Sequence, residues 1–275
     1  MRQTLCAITS NVEVMPGIYL MWIEAPYVAC SVQPGQFITV RCGDFTLRRP
    51  LSIHRVSGGR EIALLFKVTG KGTLWLSQRQ TGDRVDILGP LGNGFSIEPE
   101  AKNLLLVAGG LGIAPLVFLM QHASSQHQVT LIHGVSTATQ LYTFSSLSVT
   151  HIPSPSEGVG HGKGEERSKL PSLPNGVQFI PVTEDGSMGK KGMATDILPD
   201  FLDWADQLYA CGPVDMYKTM APVAPECQVS LEVRMGCGFG VCYSCTINTK
   251  KGLKQVCRDG PVFELDDIIW QEVRL

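Results

Sequence analysis

Residues 234–260 of the chain read RMGCGFGVCYSCTINTKKGLKQVCRDG. The stretch holds four of the nine cysteines of this 275-residue sequence, in the pattern C-x4-C-x2-C-x11-C: Cys237, Cys242, Cys245 and Cys257. The first three have the spacing of plant-type [2Fe–2S] proteins, in which cysteine thiolates hold the irons. The intervening glycines let a loop curl around a bound group and turn its N–H groups toward sulfur. The stretch therefore predicts an iron–sulfur site.

Two alternatives explain these cysteines less well. Structural zinc sites pair two short cysteine knuckles across a longer gap, whereas here a tight triplet is followed by one distant cysteine. Buried thiols that only fill space are less consistent still, because all four stand in one loop rich in glycine and lysine. A zinc-stabilised interaction module without enzymatic activity stays open at this point.

Composition excludes several classes of protein. The chain is long enough for two domains, 44% of its residues are hydrophobic, and its net charge is −2, so no basic field indicates nucleic acid. The first twenty residues lack the apolar core of a secretion signal, and clustered, odd-numbered cysteines are typical of a reducing compartment, so we expect a cytoplasmic protein. Residues 104–120 are apolar but too short and glycine-rich for a membrane span, and we expect no membrane contact.

The first 97 residues predict an antiparallel β-barrel. They contain short stretches rich in β-branched residues and separated by turn signals such as PG, SGG and TGD. The stretches are CAITSNVEV (6–14), IYLMWIEA (18–25), QFITVRC (36–42), LSIHRV (51–56), EIALLFKV (61–68) and DRVDIL (83–88). The spacing of apolar residues in 71–80 predicts a short helix that closes one end of the barrel.

From residue 103 the pattern changes to alternating strands and helices, which predicts a parallel sheet. The strands are LLLVAGG (104–110), VTLIHGV (129–135), VQFIPVT (177–183) and QLYACG (207–212), and APLVFLMQHA (114–123) is a helix. Residues 153–176 are polar and predict a surface loop. We therefore expect a β plus α/β protein with a barrel domain (1–99), an α/β domain (100–225) and a cluster segment (226–275).

Four motifs point to anionic cofactors. RRPLSIHR (48–55) combines a bidentate anion binder, Arg49, with the hydroxyl of Ser52, and the strand LLFKV is followed by Gly72 and Thr73 at a predicted helix start. Together they predict a flavin site on the barrel. Further sites for a dinucleotide are predicted where glycine turns follow buried strands. These turns contain Gly109, Gly110 and Gly112 in AGGLGIAPL, and Cys211, Gly212 and Pro213 in YACGPVDM.

The chain resembles the electron transfer subunits of dihydroorotate dehydrogenase B, in the ferredoxin–NADP reductase superfamily. The stretches that carry the resemblance are, in this order, RRPLS, GKGT, DILGPLGNGF, AGGLGIAPL, TEDGSMGKKG, YACGPVDM and the cysteine stretch. The resemblance implies FAD on the barrel, NAD on the α/β domain and a [2Fe–2S] cluster in the C-terminal segment. It assigns FAD contacts to Arg49, Pro50, Leu51, Ser52, Leu65, Phe66, Lys67, Gly72 and Thr73, and the cluster to the four cysteines. Two features depart from the family: the long polar loop, and Ser136-Thr137 where a cation often stands.

The resemblance also implies that different cofactors and subunits carry out different steps of the reaction. Nicotinamide exchanges a hydride, which carries two electrons, whereas a [2Fe–2S] cluster exchanges single electrons. A flavin must therefore transfer electrons between them. Dihydroorotate would be oxidised in a separate FMN-containing catalytic subunit, in an expected heterotetramer, and this chain would hold no catalytic residue for that step. The alternative enzyme class is a flavin subunit that reduces ferredoxin or polysulfide with NAD(P)H, in which the first cluster ligand is often aspartate instead of Cys237. The hydroxyls of STATQLY (136–142) predict NAD over NADP.

Overall fold

The computed structural model of the chain describes residues 1–144 and 173–273. Most of the predicted surface loop, residues 153–172, lies outside the described residues. The N-terminal strands close into an antiparallel barrel in the order β1-β2-β5-β4-β3-β6. They are β1 (Arg2–Met15), β2 (Ile18–Glu24), β3 (Phe37–Val40), β4 (Arg49–Ser57), β5 (Glu61–Lys67) and β6 (Arg84–Leu91), and the helices α1 (Pro26–Ala29) and α2 (Lys71–Ser77) lie in the connections.

The barrel forms because its strands carry alternating side chains. In β6 every second residue is buried, and the inward positions of neighbouring strands meet in one apolar cluster that includes Ile8, Met21 and Ile38. Leu76 of α2 is buried against the same cluster, so the short helix covers one part of the barrel interior. Both the barrel and this helix confirm the predicted architecture.

The second half of the chain forms a seven-stranded sheet in the order β10-β9-β8-β7-β11-β12-β15. All neighbours are parallel except β12 and β15. The elements are β7 (Asn103–Gly109), α3 (Ile113–Ala123), β8 (Gln128–Val135), β9 (Val177–Thr183), β10 (Lys190–Lys191), α4 (Pro199–Leu202), β11 (Gln207–Cys211), α5 (Val214–Met220), β12 (Cys227–Ser230), β13 (Thr246–Thr249), β14 (Gly252–Gln255), α6 (Val256–Asp259) and β15 (Val262–Glu264).

The central strands β7 and β8 are buried over almost their whole length, as a parallel sheet covered on both faces requires. Residues 104–120 are divided between β7, a 3-10 turn (Gly110–Gly112) and α3, which confirms that interpretation. Within the described ranges, no helix is long and apolar enough to cross a membrane.

The C-terminal segment continues the sheet before it forms the cysteine loop. β12 pairs with β11 and β15 pairs with β12, while β13 and β14 form a separate hairpin. Sequence reasoning did not single out β12 or β15. The boundary at residue 225 stays a prediction, and the structure shows that strands from both sides of it share one sheet.

Barrel and sheet share an apolar core along α3. Barrel residues such as Leu20, Trp22 and Leu65 belong to the same cluster as Leu116 of α3 and Leu106 of β7. Burial of this surface is the main attraction between the two halves, because apolar area removed from water stabilises the contact. The cleft between the halves is therefore a fixed part of the fold.

Leu106→Ala should lower the free energy of unfolding by about 2–5 kcal/mol, because it leaves a cavity at the centre of the shared core. Leu106 is 0% exposed, whereas Leu253, on the β13–β14 hairpin, is 71% exposed and provides a matched control. Leu253→Ala should change the stability by about 0.5 kcal/mol or less. Urea unfolding measures both, and equal losses would contradict the assigned core.

Candidate functional site

The first cavity, of about 680 Å³, lies on the barrel where β4 and β5 face the segment after β12. All predicted flavin residues except Gly72 line it: Arg49, Pro50, Leu51, Ser52, Leu65, Phe66, Lys67 and Thr73. The structure thus gathers two stretches that are distant in sequence. We call this space the flavin cavity.

Arg49 is one of four cationic residues that line the flavin cavity. Its guanidinium lies over Gly72 at the start of α2, where a β-carbon would collide with it. Its Nη1 donates to the carbonyl of Leu47 at 2.7 Å, and within residues 1–144 and 173–273 neither Arg49 nor Lys67 forms a salt bridge. Arg234 also lines the cavity and is in no salt bridge among the described residues. An apolar cavity with three cations not paired to carboxylates fits a flavin with an anionic diphosphate.

Thr73 and Phe66 line the cavity but also have structural roles. The Thr73 hydroxyl oxygen accepts hydrogen bonds from the N–H groups of Thr69 and Gly70, so it fixes the turn that precedes α2. The Phe66 side chain is buried in the barrel and stacks on Tyr19. These two residues support the shape of the cavity.

A second cavity, of about 820 Å³, lies at the carboxyl ends of the parallel strands. Of the predicted dinucleotide residues, Gly109, Gly110, Gly112, Gly212 and Pro213 line it. The ends of neighbouring strands in an open α/β sheet are where such proteins bind nucleotides. We call this space the dinucleotide cavity.

Cys211 is the one predicted dinucleotide residue that does not line this cavity. Its side chain is fully buried, and burial raises the pKa of its thiol well above the ordinary value. A β-carbon at Gly112 would collide with the Cys211 carbonyl, so the two turns pack together through their backbones. The thiol therefore packs inside the protein, and a nucleotide contact by Cys211 stays a prediction.

Sequence reasoning missed the acidic residues of the dinucleotide cavity. Carboxylates of Glu184, Asp196, Asp215 and Glu232 line it, and no Lys or Arg of the described residues does. Glu184 accepts a hydrogen bond from the Ser136 hydroxyl at 2.9 Å, directly after β8. No periodic signal marks these positions, because they lie in loops and short helices between the strands.

Glu232 is shared by both cavities. Its side chain lies at the junction of the two cavities and is exposed to the solvent that fills them. The surrounding protein still removes part of the water around the carboxyl group, and this desolvation raises its pKa. A group in this position faces the place where ligands of the two cavities would meet. Only its location just before the cysteine loop could have drawn attention to it.

Three of the predicted cluster cysteines, Cys237, Cys242 and Cys245, lie on one loop, and Cys257 lies on α6, after the β13–β14 hairpin; all four are free thiols. The backbone N–H groups of Cys237 and Cys257 donate to the Sγ atoms of Cys242 and Cys245, respectively. Cys237 Sγ accepts hydrogen bonds from backbone N–H groups of residues 239, 241 and 242 at 3.3–3.5 Å. Cys257 Sγ accepts one from Gly240 at 3.1 Å. Gly238 and Gly240 have positive φ, which lets the backbone turn these groups inward. Thiols surrounded by N–H donors fit a negatively charged iron–sulfur cluster.

The thiols differ in their readiness to lose a proton. A hydrogen bond with the Ser244 side chain is the main reason that the pKa of Cys242 is lowered to about 6. Burial raises the pKa of Cys257 to about 12. A thiol must lose its proton before it binds a metal, so of these two candidate ligands the exposed Cys242 is the more easily ionised.

The cysteine loop is continuous with one wall of the flavin cavity. Residues 231–235 line that cavity, and Cys237 follows two residues later. Gly238 lies so close to Thr39 of β3 that a β-carbon there would meet its methyl group. The chain itself therefore brings the loop next to the barrel.

Comparison with known proteins agrees with this geometry. Residues 232–269 match the family model of the iron-sulfur cluster binding domain of dihydroorotate dehydrogenase B. This match supports the iron–sulfur interpretation over structural zinc. The structure of an NADH-dependent reduced ferredoxin-NADP oxidoreductase is similar over 98% of this chain and 91% of that one, with 27% identity and a TM-score of 0.78. A ferredoxin NADP+ reductase from Neisseria gonorrhoeae shares the fold, at 18% identity over 81% of this chain and 90% of that one, with a TM-score of 0.60.

Two relatives are similar over nearly their whole length. The dihydroorotate dehydrogenase B (NAD(+)) electron transfer subunit of Desulforamulus reducens is 38% identical over 94% of this chain and 95% of its own. The subunit of the same name from Caldanaerobacter subterraneus subsp. tengcongensis is 33% identical over 96% of this chain and 97% of its own. The resemblance drawn from the motifs is thereby confirmed, and the chain belongs to the family of dihydroorotate dehydrogenase B electron transfer subunits.

Proposed function

We propose that this chain carries electrons from a dihydroorotate-oxidising partner subunit, through a [2Fe–2S] cluster and FAD, to NAD+. The observation that carries the proposal is the continuity of the three sites. The dinucleotide cavity meets the flavin cavity at Glu232, and the wall of the flavin cavity runs into the cysteine loop. Electron transfer between a hydride carrier and a one-electron carrier requires the flavin site to lie between the dinucleotide site and the cluster site.

Each cofactor has a set of residues that fits it. Arg49 and Lys67 would bind the anionic part of FAD, Cys237, Cys242, Cys245 and Cys257 would hold the cluster, and the glycine turns would receive NAD. When bound, the flavin supplies both two-electron and one-electron chemistry. Glu232 would orient the nicotinamide against the flavin, since it lies where the two cavities join.

The surface around the cysteine loop suits a partner subunit. Val241 and Tyr243 are each 68% exposed, Phe239 is also exposed, and all three flank the exposed Cys242. Exposed apolar side chains around a redox loop are typical of a protein interface. We propose that the catalytic subunit covers them. Oxidation of dihydroorotate in an FMN-containing partner and assembly as a heterotetramer stay predictions.

The alternative function, reduction of ferredoxin or polysulfide by an NAD(P)H-dependent flavin subunit, has weaker support. The first cluster ligand is Cys237 rather than aspartate. The full-length relatives quoted above carry the dihydroorotate dehydrogenase name at 33–38% identity, whereas the quoted oxidoreductase structure shares 27%. We also propose a cytoplasmic location, since a reducing compartment keeps cysteines free.

The wild-type chain, co-purified with the catalytic subunit, should reduce NAD+ with dihydroorotate. Cys242→Ser should abolish this activity and the electron paramagnetic resonance signal of the reduced cluster, because it removes a ligand. FAD should stay bound through the barrel side of its cavity, with lower affinity because residues 231–235 form the opposite wall.

Cys30→Ser is the matched control, since Cys30 is exposed and bonds to Gly59 of the barrel, outside the cysteine loop. It should keep both the signal and the activity. A normal cluster signal in Cys242→Ser would contradict the ligand assignment. A complex that contains flavin and cluster but does not oxidise dihydroorotate would contradict the proposed function.

Arg49→Ala should weaken FAD binding at least about tenfold, because it removes charge-assisted hydrogen bonds worth roughly 1.5–3 kcal/mol. The dissociation constant can be measured by flavin fluorescence after apoprotein reconstitution. Arg60→Ala provides the control, because Arg60 is an exposed residue paired with Glu24. Equal affinity in the two variants would exclude Arg49 from the flavin site.

The chain should prefer NADH to NADPH by at least about tenfold in kcat/KM, because Glu184 beside Ser136 repels a 2′-phosphate and can accept a bond from a ribose hydroxyl. Reduction of ferricyanide with either nucleotide measures this preference. Glu184→Lys should reduce it, and Glu100→Lys, the same charge change in an exposed loop before β7, should not. A wild-type preference for NADPH would contradict the assignment of NAD to this cavity.

A further inference from the structure

A buried histidine holds the glycine turn of the dinucleotide cavity from behind. His133 on β8 is almost fully buried, and its Nε2 lies 2.9 Å from the carbonyl oxygen of Gly110. Its Nδ1 lies 3.4 Å from the backbone nitrogen of Tyr142. His133 itself lines neither cavity, so the proposed function makes no use of it.

The partners fix the tautomer of this ring. Burial lowers the pKa of His133 to about 4, so the ring is neutral at physiological pH and carries one N–H. The carbonyl oxygen of Gly110 only accepts, and the Tyr142 N–H only donates. The proton therefore sits on Nε2, and His133 donates to Gly110.

A second histidine ties the same region to the barrel. His54 on β4, the strand that begins with Arg49, has Nδ1 2.8 Å from the carbonyl oxygen of Ala114 and Nε2 2.8 Å from the Tyr142 hydroxyl. By the same reasoning Nδ1 donates to Ala114 and Nε2 accepts from Tyr142. Tyr142 thus contacts both rings, one through its hydroxyl and the other through its backbone.

The Gly110 carbonyl oxygen has two hydrogen-bond partners: the Ile113 N–H within the short 3-10 turn, and His133. The bond from His133 matters because it ties this flexible turn to the buried strand β8. Gly110 has φ +55°, and without a β-carbon it adopts other backbone conformations at little cost. In a planar trans peptide, the carbonyl of Gly110 and the N–H of Leu111 point in opposite directions. A carbonyl held against His133 therefore keeps the Leu111 N–H on the side of the peptide opposite His133, and both Gly110 and Leu111 line the dinucleotide cavity.

We propose that His133, oriented by Tyr142 and His54, is a positioning residue that holds the Gly110 peptide with its N–H side toward the diphosphate of the nicotinamide dinucleotide. The inference rests on the proposed function, because it assigns the dinucleotide to this cavity. A reversed peptide would present a carbonyl oxygen to the phosphates and weaken binding. The network also connects the flavin strand β4 with the nucleotide turn.

The test measures the dissociation constant of ADP-ribose by calorimetry and the kinetics of ferricyanide reduction by NADH. His133→Leu removes the donor and should weaken ADP-ribose binding and raise the KM for NADH about tenfold, with kcat at saturating NADH and FAD content nearly unchanged. His133→Gln keeps an N–H donor and should restore most of the affinity. Tyr142→Phe, which removes only the hydroxyl, should give an intermediate loss.

Thr130→Val, a buried change at the other end of β8, controls for loss of stability alone. It should leave ADP-ribose affinity unchanged. Wild-type affinity in His133→Leu, or a His133→Gln variant as weak as His133→Leu, would overturn the inference. If His133→Leu does not fold, wild-type affinity in Tyr142→Phe overturns it instead. Failure of the wild-type chain to bind ADP-ribose would count against the proposed function itself.

Discussion

The apolar core shared by the barrel and helix α3 is the contact on which the rest of the structure depends. Leu20, Trp22 and Leu65 of the barrel and Leu116 of α3 remove a continuous surface from water. Because this core fixes the position of the barrel against the carboxyl edge of the sheet, the two cavities face each other instead of lying on separate bodies. The cysteine loop continues from the wall of the flavin cavity and lies beside the barrel.

Local sequence patterns were sufficient to predict most of the fold. Alternating apolar residues, as in 83–88, follow the two-residue period of a strand with one buried face. A continuous apolar run, as in LLLVAGG, indicates a strand with both faces buried. The cysteine spacing and the glycine turns are equally local, so the candidate metal ligands and one side of each cavity could be named from the sequence.

The parts that could not be predicted depend on contacts between distant residues. β12 and β15 are short, and they are recognisable only through their pairing, in which Ser230 lies opposite Val262. The wall at residues 231–235 and the shared position of Glu232 follow from that pairing. Cys211 is a further case: the sequence marks its turn as a nucleotide site, but only the fold shows that its backbone packs against Gly112 and that its thiol is buried.

The wall formed by residues 231–235 is shared by two of the proposed cofactor sites. These residues close the flavin cavity on one side and lead directly into the cysteine loop, so a cluster bound in the loop and a flavin bound in the cavity would depend on the same segment of backbone. By reciprocity, any factor by which one group strengthened the binding of the other would apply in both directions. On the proposed function, iron supply in the cell would then influence how firmly the subunit retains its flavin.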